Sequence, residues 1–493
     1  MALKTAEEYK QSIVDNRKVF LDGEKVEDIL DHPILSKLVN YAAGDYEMAM
    51  NPTYQDLVTE KLPDGERVHF TFIAPRSKDD LIRRRQVIQT TCRVLGGPGG
   101  AAKFTGIDGL LGLTLGCRRI DKKMGTEYSK RVEKYRRHLM DLDAAVCVAM
   151  TDVKGNRSLR PHEQKGHQDY YVRIVSKENA GIVVRGAKTQ ISYAPVVNEM
   201  IVLPCRAMGE KDKDYAVAFA LPVDTKGLKI IGSAKDGGHA VVVFDDVFVP
   251  SERIFLAGEW QDAYQLPYAF ATFHRLSADT YKYTQLEIMI GAAALLAEYN
   301  GLDKISHIRD KLTWLLMYAE GTEALGRAAA ENWEADPSTG TPCPNVLYSN
   351  VAKFFFASQY SQAEQYLQDI AGGLVSTLPS LKELENPEIA EDVKKYLGTG
   401  DICSAEDRMK LFKYTQHLCD YNQGNTTLHA EGSLAAQRLT LYNNGDWERY
   451  KALAKRAAGI SCNHPAVANL PPILWYPRPA EKSPDIPVGK GDL

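Results

Sequence analysis

Between residue 170 and Pro250 the chain breaks into short apolar runs: Tyr170–Val175, Ile182–Val184, Met200–Leu203, Tyr215–Ala220, Leu228–Ile231 and Ala240–Phe244, separated by Gly, Pro, Lys and Asp. Apolar runs of this length between turn formers predict consecutive strands of a small β domain. The block closes with GGHAVVVFDDVFVP at 237–250, in which Asp245 and Asp246 read as an acidic turn ahead of a second apolar pair. Helical periodicity flanks it on both sides, at 78–92 and 127–146 before it and at 284–300 and 304–334 after it. Helices, a β domain and more helices make the chain α+β, with residues 5–145 expected to be helical and 262–465 an antiparallel bundle.

Its 493 residues can bury an extensive core. A net charge of -4 offers nothing to draw nucleic acid or anionic lipid. The opening MALKTAEEYKQS lacks an apolar core and predicts a helix start capped by Thr5. The longest apolar run, IMIGAAALLA at 288–297, is about half of what a bilayer needs. A cytoplasmic protein is expected. The eight cysteines, at 92, 117, 147, 205, 343, 403, 419 and 462, stand singly without ligand spacing, as small core residues do.

Four segments carry a resemblance: MTDVKGNR at 150–157, GIVVRGAK at 181–188, EKDKDYAVAFALP at 210–222 and IGAAALLAEYNG at 290–301. With the FDDVFVP strand end, they resemble the acyl-CoA dehydrogenase-like branch that holds the two-component 4-hydroxyphenylacetate 3-monooxygenases and 4-hydroxybutyryl-CoA dehydratase. The resemblance spans roughly residues 5 to 465. It implies an N-terminal helical domain (1–147), a central β-barrel domain (148–260), a C-terminal helical bundle (261–465) and a proline-rich tail (466–493). It also implies bound FAD and a homo-oligomer, by family a tetramer.

The chain departs from both relatives. The dehydratase pattern holds a [4Fe–4S] cluster with three cysteines and a histidine; those cysteine positions fall near Gly100 and Phe104 and on Tyr281, and only His274 remains. One imidazole cannot hold a cluster that depends chiefly on thiolates, so no metal is expected. The dehydratase's proton-transfer carboxylates are replaced by His239 and Thr426. The monooxygenase pattern places an arginine and a tyrosine near Thr105 and Gly109 and a histidine near Val148, and none of them is present.

By resemblance, Thr151, Asp152 and Arg157 line the isoalloxazine ring. Thr189, Gln190 and Ser192, at the start of a loop after GIVVRGAK, contact the ring or its ribityl chain. Gly372 and Gly373 let backbone approach the pyrophosphate or adenine across a subunit boundary, although the residues by themselves favour a helix C-cap. Asn425 and Thr426 complete the set. The glycine-rich stretch at 93–103 matches neither a Rossmann nor a phosphate-loop pattern and is expected to wall the substrate pocket. His274 and Lys282 lie eight apart, about two helical turns, which puts both on nearly one face. With His239 they are the catalytic candidates: histidine as acid or base, lysine as partner of a carboxylate, phenolate or thioester carbonyl.

Three functions remain open. One is a monooxygenase that takes reduced FAD from a separate reductase and hydroxylates a small aromatic or unsaturated substrate; another is a cluster-free dehydratase, isomerase or dehydrogenase of acyl-CoA thioesters; the third is a flavin-binding protein without chemistry. The first is preferred, because losing the cluster ligands leaves a flavin in the kind of pocket that relatives use with oxygen.

Overall fold

Thr5 caps the first helix, α1 (Ala6–Ser12). Its hydroxyl accepts the Glu8 N–H at 3.2 Å, and the Glu8 carboxylate accepts the Thr5 N–H at 2.8 Å. The structure, a computed structural model, describes residues 3–97 and 101–470. Strands β1 (Val19–Leu21) and β2 (Glu24–Val26) follow, then α2 (Leu35–Met50), α3 (Gln55–Val58), the pair β3 (Thr59–Lys61) and β4 (Arg67–His69), and helices α4 (Lys78–Leu95), α5 (Ala101–Met124) and α6 (Tyr128–Asp141). Four short strands thus interrupt a region expected to be wholly helical. The segment expected as one helix over 127–146 ends at Asp141, and Val146 begins a strand.

The central region holds β5 (Val146–Ala149), β6 (Arg173–Glu178), β7 (Gly181–Ser192), β8 (Glu199–Val202), β9 (Val217–Pro222), β10 (Leu228–Gly232), β11 (His239–Pro250) and β12 (Ile254–Ala257). They form two sheets with free edges, ordered β2-β1-β10-β11-β7-β6 and β12-β9-β8-β5. Strand pairing gives two sheets, bridged at Asp152–Lys188 between the segment after β5 and β7, and does not by itself close the expected barrel. Asp245 and Asp246 do not turn the chain. β11 runs through them with a bulge between Phe244 and Val247, Asp246 has φ 51°, and the two carboxylates pair outward with Lys229 and Arg185.

The bundle follows: α7 (Gln265–Tyr299), α8 (Ser306–Glu331), the two-residue strands β13 (Glu334–Ala335) and β14 (Pro342–Cys343), α9 (Val346–Ala371), α10 (Leu374–Thr377), α11 (Ala390–Leu397), α12 (Ala405–Leu418) and α13 (Tyr421–His429). One apolar core joins the N-terminal helices, both sheets and the start of α7, and a second fills the bundle between α7, α8 and α9. By packing, the chain divides into residues 1–437 and 438–493. The first unit contains everything named so far. The second contains helices Trp447–Ala457 and Pro465–Ala468. Residues 471–493, most of the expected proline-rich tail, and Gly100 lie outside the described residues. Among the described residues no helix is long and apolar enough to cross a membrane.

Glycines set how closely α5 meets its neighbours. A Cβ on Gly106 would stand 2.2 Å from the Val146 carbonyl oxygen of β5, and one on Gly112 would stand 2.6 Å from the Phe270 nitrogen of α7. Helix and strand, and helix and helix, meet there backbone to backbone. This contact brings the polar residues of α5 up to those of α7.

Candidate functional site

A cavity of about 470 Å³ opens where α2, α5, α7, α12 and α13 meet the end of β7. His274 and Lys282 of α7 both line it, as the helical spacing predicts, and Tyr281 lines it beside them. Leu38, Phe104 and Ile288 give it apolar faces, and Thr105, Ser192, Gln285 and Thr426 give it polar edges. Phe104 and Tyr281 stack with centroids 6.0 Å apart and planes at 27°, so aromatic rings occupy two of the positions that the resemblance assigned to cysteines.

His274 is held by a buried carboxylate. Its Nδ1 lies 3.0 Å from Asp108 Oδ2, while Asp108 Oδ1 accepts from Arg84 Nη2 at 2.5 Å and from Ser277 Oγ at 3.0 Å. Phe270 stacks on the imidazole at 4.7 Å. Asp108 accepts from a guanidinium and a hydroxyl and is therefore a carboxylate, so the imidazole Nδ1 donates to it. Nε2 is left as the ring nitrogen not engaged by Asp108, able to accept a proton whenever it carries none.

A second charged group sits beside it. Glu431, in the turn after α13 with φ 55°, accepts from the Tyr281 hydroxyl on one oxygen and from Lys282 on the other. Lys353 of α9 stands 3.9 Å from that second oxygen and donates to the Thr427 carbonyl at 2.9 Å. Burial alone would raise the Glu431 carboxyl, but the charges of Lys282, Lys353 and His274 hold it at about 2. Burial and the like charge of Lys282 push Lys353 down to about 7, against the pull of Glu431. Asp279, whose two carboxylate oxygens lack a hydrogen-bond partner among the described residues, is pushed well above the usual carboxylate range by burial. These groups could hold an anionic or hydroxyl-bearing ligand and move a proton to or from it.

The other expected site residues divide. Ser192 and Thr426 line the cavity, and His239 stands at its rim, nearly half exposed and 3.6 Å from Asp236. Thr189 and Gln190 are not in a loop: both lie within β7, which runs on to Ser192. The Thr189 N–H is taken by the Thr151 carbonyl at 2.8 Å. Asp152 is buried in an ion pair with Lys188 at 2.8 Å and accepts the Val172 N–H at 2.9 Å, so its carboxylate clasps two segments of the β region. Arg157 and Asn425 are exposed and off the cavity wall. Gly372 caps α9 with φ 74°, and Gly372 and Gly373 line a separate depression with Gln365, Tyr366, Gln368 and Asp369. Gly96 and Gly97 of the glycine-rich stretch do wall the cavity.

Sequence reasoning missed Asp108, Glu431, Lys353 and Asp279. A signal existed for two of them: Asp108 stands in FTGIDGLLG and Lys353 in NVAKFFFA, each a lone charge inside an apolar helical run. Such a charge is buried only when paired. Among the described residues no group of three His, Cys, Asp or Glu side chains is arranged to hold a metal ion.

Helices flanking two β-sheets place the chain in the acyl-CoA dehydrogenase-like fold: a glutaryl-CoA dehydrogenase structure superposes at TM-score 0.51 and 15% identity over 76% of this chain and 83% of that one. Family models for the 4-hydroxyphenylacetate 3-hydroxylase N-terminal and C-terminal regions match residues 5–256 and 263–459, and the chain belongs to that family. It is 34% identical to the 4-hydroxybutyryl-CoA dehydratase/vinylacetyl-CoA-Δ-isomerase of Clostridium aminobutyricum, over 93% of this chain and all of that one. An oxygen-tolerant 4-hydroxybutyryl-CoA dehydratase from N. maritimus superposes at TM-score 0.88 with 29% identity, covering 94% of this chain and 96% of that one. The oxygenase component of 4-hydroxyphenylacetate 3-monooxygenase, solved with FAD and 4-hydroxyphenylacetate, superposes at 0.83 with 26% identity, covering 92% and 98%.

Proposed function

We propose that this chain is the FAD-binding oxygenase component of a two-component monooxygenase acting on a small aromatic or unsaturated substrate, with a separate reductase supplying reduced flavin and a homotetramer as the working form. The donor set fits the cofactor. A flat ring system with a polar edge needs apolar faces and a few hydroxyl or amide partners, and the cavity offers Leu38, Phe104 and Ile288 beside Thr105, Ser192 and Thr426. Reduced FAD, when bound, supplies the two electrons that divide O₂ between a product hydroxyl and water.

The observation that carries the reading is the Asp108–His274 pair. With Nδ1 committed to Asp108, Nε2 takes the proton from a substrate hydroxyl, and the resulting anion is richer in electrons at the carbon to be oxygenated. Lys282, backed by Glu431, faces the same cavity and balances the developing negative charge. The apolar walls keep bulk water from that proton.

A second reading, a cluster-free acyl-CoA isomerase or dehydratase, is supported by the 34% identity to the Clostridium enzyme. There Nε2 would take a proton from carbon next to a thioester. The test supplies reduced FAD and ¹⁸O₂ to the protein with a panel of para-substituted phenols and unsaturated acids. The expected result is ¹⁸O in the product, lost in His274→Asn. Solvent deuterium entering crotonyl-CoA without oxygen, and no ¹⁸O product, would select the second reading; no FAD binding would refute both.

A further inference from the structure

We propose that Lys353 is a positioning residue that releases Lys282 from Glu431, so that Lys282 can hold a negatively charged group of the ligand in the cavity. The proposal rests on this cavity being the substrate site, and not on which reaction occurs there.

Two ammonium groups share one carboxylate oxygen: Lys282 donates to Glu431 Oε2, and Lys353 stands 3.9 Å from it. Only Lys282 lines the cavity; Lys353 lies behind it, with no exposed surface, anchored on the Thr427 carbonyl. Glu431 is itself buried and ionised. If Lys282 turned to an incoming anion while Lys353 was neutral, the carboxylate would be stranded without a cation, which a buried site resists strongly. With Lys353 protonated, Glu431 keeps a counter-ion and Lys282 can move. Anion binding therefore requires the Lys353 proton.

The charges around Lys353 agree with this. Lys282 and Asp279 face it from α7, and Glu431 faces it from the turn after α13. The Glu323 carboxylate of α8 is engaged by Arg85 of α4 at 2.5 Å. Held near neutrality by burial and Lys282, Lys353 titrates where the linkage can be read.

The experiment uses the full chain with FAD, without oxygen or reductant, so that a wrong assignment of the reaction leaves the measurement intact. Calorimetry compares 4-hydroxyphenylacetate, ionised throughout the range, with its neutral amide at pH 6 and pH 8.5. Affinity for the carboxylate should fall about thirty-fold between these pH values, since the protonated fraction of a group titrating near 7 falls by that factor, and affinity for the amide should not change. Lys353→Arg should bind the carboxylate tightly at both pH values, and Lys353→Met weakly at both. Equal affinity for acid and amide at pH 6, binding of neither, or a wild-type pH dependence in Lys353→Met would overturn the proposal.

Discussion

Alanine at Gly112 tests whether the α5–α7 contact holds the Asp108–His274 pair. The new Cβ would meet Phe270 N at 2.6 Å and Phe270 Cα at 2.7 Å, both backbone atoms of α7. Ordinary contact begins near 3.4 Å, so α7 must retreat by about 0.8 Å at that level. Phe270 is one turn before His274, so the 3.0 Å bond to Asp108 would stretch to roughly 3.8 Å, past hydrogen-bond range. Overpacking costs about 1–3 kcal/mol and the lost charge-assisted bond about 1.5–3, against a gain of about 1 from alanine's better helix propensity. The net expectation is a loss of about 1.5–5 kcal/mol, read as a thermal midpoint lower by roughly 2–5 °C in a unit of this size. Gly291 is the control. It lies inside α7 with nothing within 4 Å of its would-be Cβ, so Gly291→Ala should raise stability by about 0.5–1 kcal/mol. Thermal unfolding followed by circular dichroism reads both variants. If both rise together, helix propensity governs and the close backbone contact does not constrain the site.

Two further substitutions test the buried charges. Glu431 has a folded carboxyl near 2 against an ordinary 4.5, so it contributes stability that is present above pH 4.5 and lost as pH falls through 2. Glu431→Gln should therefore cost about 3 kcal/mol at pH 6, a gap in unfolding midpoint that narrows steadily below pH 4.5; a gap independent of pH would show that shape, not charge, matters there. Asp152→Asn should strand the buried Lys188 and cost about 3–5 kcal/mol, with much of it recovered in the double variant Asp152→Asn/Lys188→Met. Unchanged urea unfolding with weakened FAD binding would instead return Asp152 to the role that the resemblance gave it.

The strands of the central region were legible because each apolar run is long enough to show against its turn residues. What escaped was what only pairing creates. β1 and β2 have three residues each, and β1 gains its partner from β10, some two hundred residues later, through Val19–Ile230 and Phe20–Ile231. Asp245 and Asp246 look like a turn, since adjacent carboxylates favour one. Across the sheet they meet Lys229 and Arg185, and a bulge accommodates both without ending the strand. The loop expected at Thr189–Ser192 failed for the same reason: its polar residues continue β7 against β11, Ser192 opposite His239.

In the site, the helical faces were legible and the charge partners were not. His274 and Lys282 could be placed on one side of α7 from spacing alone, yet the groups that decide their chemistry come from positions about 150 residues away, Asp108 on α5 and Glu431 beyond α13. Replacing a cluster's cysteines reads in the sequence as loss. In the fold the same region is filled: Phe104 and Tyr281 stack across it, and the Tyr281 hydroxyl, Lys282 and Lys353 converge on one carboxylate. That carboxylate belongs to a non-glycine residue in the left-handed region, a conformation that costs on the order of 1 kcal/mol and persists only where surrounding contacts demand it. A pocket that had merely lost its metal ligands would have no reason to keep such strain, whereas one in which two buried ammonium groups share a single carboxylate oxygen needs Glu431 in that place.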